Sequence, residues 1–193
     1  MDPDVVPAKA ALRRRMRTLR AGLVGERAAA SQRAADLAPV GRWPAAPIVA
    51  GYRAMETEID PAPLLARLAA AGARIVLPVV IARGEPLVFR QAGAAATMTP
   101  DAAGILAPPP SASALAPGLI LAPLLAFDRA GGRLGQGGGY YDRTVRALRA
   151  RGPVLVVGLA FAGQVVDHVP MGPRDERLDA ILTEIGYMEP PKG

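Results

Sequence analysis

Between Ala8 and Leu23 the apolar residues Leu12, Met16, Leu19 and Leu23 recur at i, i+4, i+7 and i+11, which predicts one buried face of an amphipathic helix. Lys9, Arg13, Arg17 and Arg20 run beside that face and make a basic stripe. Ala28, Ala29, Ala34, Ala35 and Leu37 predict a second helix over 26–37, ended by Pro39 and Gly41, with Trp43 as a packing anchor in the turn after it. Ile48–Tyr52 reads as a short buried strand. The acids Glu56, Glu58 and Asp60 then lead into a helix with Pro61 near its first turn and Leu64, Leu65 and Leu68 on its inner face; Asp60 is best placed to cap it. Gly72 closes that helix, and Arg74–Val80 and Pro86–Arg90 read as successive strands. Residues 91–117 are Ala, Pro, Ser and Gly with little pattern, too long for an ordinary loop, and are expected to form a functional flap or a mobile crossing segment. Strands are expected again at 118–127, 154–161 and 180–183, with a helix over 140–151.

Strands that alternate with helices predict an α/β fold: one layered domain over residues 1–193, with a mostly parallel, partly mixed central sheet flanked by helices. The consecutive strands near Arg74 and Pro86 supply the antiparallel part. No internal repeat is visible.

Composition narrows the function classes. Of 193 residues 51% are hydrophobic and 21% charged, the balance of a globular chain, and aromatics at 4% leave the core to Leu, Val, Ile and Ala. No stretch reaches the ~18 apolar residues of a membrane helix, and the start Met1-Asp2-Pro3-Asp4 carries acids where a secretory signal has bases, so a soluble cytoplasmic protein is expected, without membrane partners and as a monomer. Without cysteine there is no disulfide, thiolate nucleophile or Cys-based metal site, and His168 is the single histidine. A metal here must be held by oxygens, which points to magnesium. A net charge of +6 favours anionic partners. The bases are not interleaved with aromatics and no zinc-finger, RRM or helix-turn-helix signature is present, so a polyanionic small molecule explains the charge as well as nucleic acid does.

The candidate chemistry gathers between Ala122 and Arg143. An apolar run there passes through six glycines in the nine residues 131–139 and then enters the helix carried by Val145 and Leu148. Glycines let the backbone approach a ligand, and the first turn of a helix offers unpaired N–H groups and a favourable dipole, so this loop suits a phosphate. A plain flexible turn would not bring Arg133, Tyr140, Tyr141 and Asp142 to its two flanks. Neither standard nucleotide fingerprint is present, because no Lys-Ser or Lys-Thr follows and Tyr140 occupies the last glycine position of G-x-G-x-x-G.

Phosphoryl transfer needs cations at the phosphate oxygens, a metal held by carboxylates, and in-line positioning. Lys9, Arg13 and Arg133 are the candidate cations, Gly135–Gly139 the backbone donors, and Asp142 and Asp175 the candidate carboxylates. One His and no Cys leave too few parts for a Ser-His-Asp or Cys-His arrangement. The basic stripe also has a bland explanation as a solvated charged face.

The string Phe-Asp-x-x-Gly-x-Arg-Leu-Gly-x-Gly-x-Gly-Tyr-Tyr-Asp from Phe127 to Asp142 closely resembles the signature of the 5-formyltetrahydrofolate cyclo-ligase family. Weaker matches span most of the chain: Lys9–Arg13, the segment from Tyr52 to Asp60, Leu77-Pro78, Gly104-Ile105 with Pro108, and Asp175-x-x-x-Asp179-x-Ile-Leu-Thr-Glu. The resemblance implies an enzyme that uses ATP and Mg²⁺ to turn 5-formyltetrahydrofolate into 5,10-methenyltetrahydrofolate, releasing ADP and phosphate. In such proteins the formyl oxygen attacks the γ-phosphate and N10 then closes the ring, so the nucleophile belongs to the substrate.

Carried over position by position, the resemblance implies ATP contacts at Lys9, Ala10, Ala11, Leu12 and Arg13 and at Arg133, Leu134, Gly135, Gln136, Gly137, Gly138, Gly139, Tyr140 and Tyr141. It implies magnesium carboxylates at Asp142 and Asp175, and folate contacts at Arg13, Arg53, Glu58, Gln136, Gly137, Gly138, Gly139 and Tyr140. Arg133, Tyr140 and Asp142 are the expected catalytic set. Glu58 can accept two hydrogen bonds from the amino-pyrimidine edge of a pterin, and a tyrosine can cover its ring. Gln136, Arg53 and Arg174 depart from the family pattern, which bears on the folate contacts and not on the phosphate and metal set. The alternatives are an ATP-dependent enzyme of the same fold acting on another anionic substrate, and a basic nucleic-acid-binding module.

Overall fold

The computed structural model describes residues 5–43, 45–93 and 97–191. The acidic start, Pro44 in the turn beside Trp43, and residues 94–96 of the expected flap lie outside them.

Its centre is a seven-stranded sheet in the order β11-β10-β9-β6-β1-β2-β3. These strands are β1 (Ile48–Ala50), β2 (Arg74–Val79), β3 (Val88–Gln91), β6 (Leu119–Pro123), β9 (Leu155–Leu159), β10 (Ala180–Thr183) and β11 (Gly186–Met188). The five inner strands run parallel, and β3 and β11 pair antiparallel at the two edges. The expected mostly parallel, partly mixed sheet flanked by helices is what the chain builds.

Both faces of the inner strands are covered, so their sequences are continuously apolar while their side chains alternate sides. Leu119 and Leu121 of β6 pack with Val49, Val157, Leu159 and Leu182 under the helices α2 (Arg27–Leu37) and α3 (Ala62–Ala70). Ile120 and Ala122 face the other way, with Val76, Val156 and Ile181, under Val145 of α4 (Tyr140–Arg149). Trp43 is buried in the first layer, 6.1 Å from the ring of Tyr187. Ala62 donates its N–H to Asp60 Oδ1 at 3.0 Å, so Asp60 does cap the α3 entrance.

The first helix, α1 (Val5–Gly22), sits apart from both layers. Met16, with Leu12 and Leu19, packs on Leu125, Ala126, Leu134 and Val169. Ala126 and Leu134 belong to a two-stranded ribbon, β7 (Ala126–Phe127) against β8 (Arg133–Leu134). The single strand expected over 118–127 is therefore broken: β6 stops at Pro123, and the chain re-pairs with the loop that follows. Proline donates no N–H to a ladder, and Leu125 N–H turns instead to the Leu134 carbonyl at 2.7 Å. The patternless segment also carries structure, a small hairpin of β4 (Thr99–Pro100) and β5 (Leu106–Ala107) pinned by Val80 N–H donating to Asp101 Oδ2 at 2.9 Å. Among the described residues no helix is long and apolar enough to cross a membrane.

Candidate active site

β1 and β6 are neighbours, and the chain winds outward from them in opposite directions, to β2 through α3 and to β9 through α4. At such a switch point the two connections diverge and leave a crevice beyond the carboxyl ends of the strands. The crevice here is an open cleft of about 860 Å³. Tyr52, Arg53 and Glu58 follow β1 into it, Pro78 belongs to β2, and Pro123 and Leu124 lie at the end of β6. Lys9 and Arg13 of α1 form one wall, and residues 133–143 with Arg174 and Asp175 another.

Arg133 and Asp142 flank the glycine loop and close it: Arg133 donates from Nη2 to Asp142 Oδ1 at 2.9 Å. The Arg133 guanidinium also lies 5.5 Å from the centre of the Tyr141 ring. Burial pushes the Tyr141 phenol above the ordinary tyrosine range, with the Arg133 charge pulling against it and Glu58 adding to the rise. Gly139 begins α4 at φ +65°, and a Cβ there would stand 2.7 Å from Arg143 Nη1. That guanidinium in turn donates to the Gly138 carbonyl at 2.8 Å and lies 5.2 Å from the Tyr140 ring centre.

The basic stripe is not a free solvated face. Lys9 donates to Asp175 Oδ2, Arg13 donates from Nε to the Gly135 carbonyl at 2.9 Å, and Arg17 donates twice to Gln136 Oε1. Partial burial, with Arg17 close by, lowers the Arg13 guanidinium from its ordinary value. Arg20 is buried against Glu58. Helix α1 thus presents cations to the glycine loop, to the C-terminal turn around Asp175 and to the segment after β1.

Asp142 and Asp175 reach one locality from opposite ends of the site. Asp142 Oδ1 accepts from Arg133 and from Glu176 N–H at 3.2 Å, and Asp175 Oδ2 accepts from Lys9 and Gly172 N–H. Among the described residues no protein donor reaches Asp142 Oδ2 or Asp175 Oδ1. No group of three or more His, Cys, Asp or Glu stands together among them.

The structure therefore brings Lys9, Arg13, Arg53, Glu58, Arg133, Leu134, Gly135–Gly139, Tyr140, Tyr141, Asp142 and Asp175 to one cleft. Ala10, Ala11 and Leu12 do not line it; Leu12 turns to the α1 core instead. The sequence reading missed Asp128, a buried carboxylate that accepts N–H groups from Ala130, Gly132 and Val169 at 2.8–3.0 Å and so shapes the turn before Arg133. It also missed Gln164, whose amide donates to the carbonyls of Leu124 and Leu125 where β6 breaks. Asp128 could have been suspected from its place in the Asp-x-x-Gly turn, while Gln164 left no local signal.

Relatives are found over most of the chain. A 34% identical relative, the 5-formyltetrahydrofolate cyclo-ligase of Mycolicibacterium smegmatis, aligns over 70% of this chain and 72% of its own length. The Escherichia coli K12 protein of that name is 32% identical over 70% of this chain and 76% of its own. The solved 5,10-methenyltetrahydrofolate synthetase of Aquifex aeolicus superposes with a TM-score of 0.75 at 26% identity, covering 96% of this chain and 94% of that one. That of Mycoplasma pneumoniae gives 0.68 at 26% identity, covering 95% and 99%. With the family model matching residues 5–184, this chain belongs to the 5-formyltetrahydrofolate cyclo-ligase family.

Proposed function

We propose that this protein converts 5-formyltetrahydrofolate to 5,10-methenyltetrahydrofolate at the expense of ATP, with Mg²⁺ as cofactor. The observation that carries the proposal is that one cleft is lined both by cations with a glycine loop and by a buried carboxylate with two tyrosines. Lys9, Arg13, Arg133 and the loop Gly135–Gly139 suit phosphates, and Glu58 with Tyr52 and Tyr140 suits a pterin. The names of the relatives support the reaction, and the glycine loop with its cations supports the nucleotide.

The donor set fits magnesium. Mg²⁺ takes one or two protein carboxylates and completes its octahedron with phosphate oxygens and water, and Asp142 and Asp175 each keep one oxygen clear of protein donors. When bound, the ion neutralises charge developing on the transferred phosphoryl group. Lys9 and Arg133 hold the other carboxylate oxygens, which orients both groups and would leave their positive charge beside bound phosphates.

The reaction asks little covalent chemistry of the protein. The formyl oxygen attacks the γ-phosphorus as the bond to the ADP oxygen breaks; N10 then adds to the activated carbon, loses its proton, and the C–O bond breaks to release phosphate. Arg13 and Arg133 stabilise negative charge on the transferring group, a role that works best in a preorganised, water-poor site. Glu58 accepts the amino-pyrimidine edge and Tyr140 covers the ring, which brings the formyl oxygen into line. Arg53 and Gln136, both exposed on the cleft wall, extend the folate contacts.

The test mixes protein, ATP, Mg²⁺ and 5-formyltetrahydrofolate and follows the methenyl chromophore together with ADP. Stoichiometric, folate-dependent formation of both is expected. ATP hydrolysis that ignores folate, or none at all, overturns the assignment.

A further inference from the structure

Arg20 is the buried cation of the stripe, and the proposed reaction leaves it unused. Its side chain is 5% exposed and that of Glu58 7%, so this ion pair is almost wholly buried at the floor of the cleft that Glu58 lines. Arg20 Nη1 donates to Glu58 Oε1 at 3.3 Å and to the Leu124 carbonyl at 3.2 Å. On the other oxygen, Oε2 accepts the Met55 N–H at 3.0 Å. The carboxylate is therefore gripped at both oxygens by protein donors while it still lines the cleft. Each carboxylate oxygen can accept two hydrogen bonds, which leaves capacity on both for a ligand.

Stability alone does not account for such a pair. Desolvating two charges costs about as much as their attraction returns, and apolar residues of equal volume serve as well. This pair is not even saturated, since Arg20 Nε is buried with no hydrogen-bond partner. Arg20 also ties Glu58 to Leu124, the residue at which β6 gives way to the ribbon below the glycine loop.

We propose that Arg20 is a positioning residue for substrate recognition: it fixes the plane of the Glu58 carboxylate, so that both oxygens accept from the paired N–H groups of an amino-pyrimidine. It thereby sets the preference for a substrate carrying the 2-amino group. This inference rests on the preceding assignment of Glu58 to the pterin edge.

The test compares the parent protein with Arg20→Met, Arg20→Lys, Glu58→Gln and the Arg20→Met/Glu58→Gln double variant, using 5-formyltetrahydrofolate and its 2-desamino analogue. A site built to receive a hydrogen-bonding group rejects the analogue lacking it. Arg20→Met is expected to raise KM for the folate about tenfold or more, to leave KM for ATP within about twofold, and to erase most of the discrimination against the analogue. Arg20→Lys should recover part of that discrimination, and the double variant should be no worse than Glu58→Gln. Equal changes in both KM values with discrimination intact, or additive losses in the double variant, would reduce Arg20 to a packing role and overturn the inference. If Arg20→Met does not fold, the discrimination ratio of Arg20→Lys decides by itself: unchanged overturns, lowered supports. A parent protein inactive on 5-formyltetrahydrofolate overturns the cyclo-ligase assignment, whereas an active parent whose Glu58→Gln variant discriminates normally overturns only the role of Glu58 and Arg20.

Discussion

Asp142 Oδ1 sits 2.9 Å from Arg133 Nη2, nine residues back along the chain, and the glycine loop is the arc that this pair closes. The carboxylate is thus oriented by a cation, and among the described residues no protein donor reaches its second oxygen. Asp142→Asn keeps the shape and the N-terminal helix position but removes the charge. It should melt within a few degrees of the parent and lose most ATP turnover, about 100-fold, with part recovered at high Mg²⁺. Steady-state rates across a Mg²⁺ series check this; near-normal turnover with an unchanged Mg²⁺ dependence leaves Asp142 only a capping role.

Arg13 and its neighbour Arg14 separate the proposed anion contact from ordinary surface charge. Arg13 donates to the Gly135 carbonyl, whereas Arg14 is exposed. Arg13→Ala is expected to lower kcat/KM for ATP by about 10- to 100-fold without unfolding, since Met16 and Leu19 carry the packing. Arg14→Ala should change it by less than about twofold. Parallel kinetics of the two variants decide the matter, and equal activities would count against a phosphate contact.

Asp128 tests the scaffold and not the chemistry. Replacing it with Ala strips the acceptor from the N–H groups of Ala130, Gly132 and Val169. The loss should be about 2–4 kcal/mol of stability, because buried donors left unpaired forfeit their solvation. Urea unfolding measures it, and a loss under about 1 kcal/mol would mean that the turn holds itself.

Two buried tyrosines bear on the alkaline side of the stability profile. Burial raises both Tyr52 and Tyr141 above the ordinary phenol value of 10.0, with Glu58 contributing to each. The folded state then keeps protons that the unfolded chain has already lost. The stabilisation is complete below pH 10.0 and falls as pH climbs from there toward the folded values. Melting temperatures between about pH 9 and pH 11 should fall more steeply for the parent than for Tyr141→Phe, and parallel slopes would dispose of the idea.

How much of this was legible depended on how local the cause was. The order of helices and inner strands follows from apolar runs such as Leu119–Ala122 and from the period of Leu12, Met16 and Leu19, all contained within a few residues. The Phe127–Asp142 string carried most of the site because its residues are neighbours in sequence as well as in space. The edge strand β11 was not foreseen, since Gly186–Met188 is short and defined only by its pairing with β10. Nor was β8, where Arg133 and Leu134 pair back onto Ala126 and Phe127 instead of remaining in the loop. Arg20 looked like surface charge because nothing near it in sequence reveals Glu58, 38 residues away.

Helix α1 waits longest for its partners. Lys9 meets Asp175 across 166 residues and Arg13 meets the Gly135 carbonyl across 122. Arg20, by contrast, meets Glu58 across only 38 residues. Contacts of the wider separation are paid for in loop closure before they return anything, and they form late. The two ends of this one helix therefore lock at different stages of folding: its Arg20 end can pair as soon as the segment after β1 is in place, and its Lys9 end only once the sheet has brought Asp175 round to it.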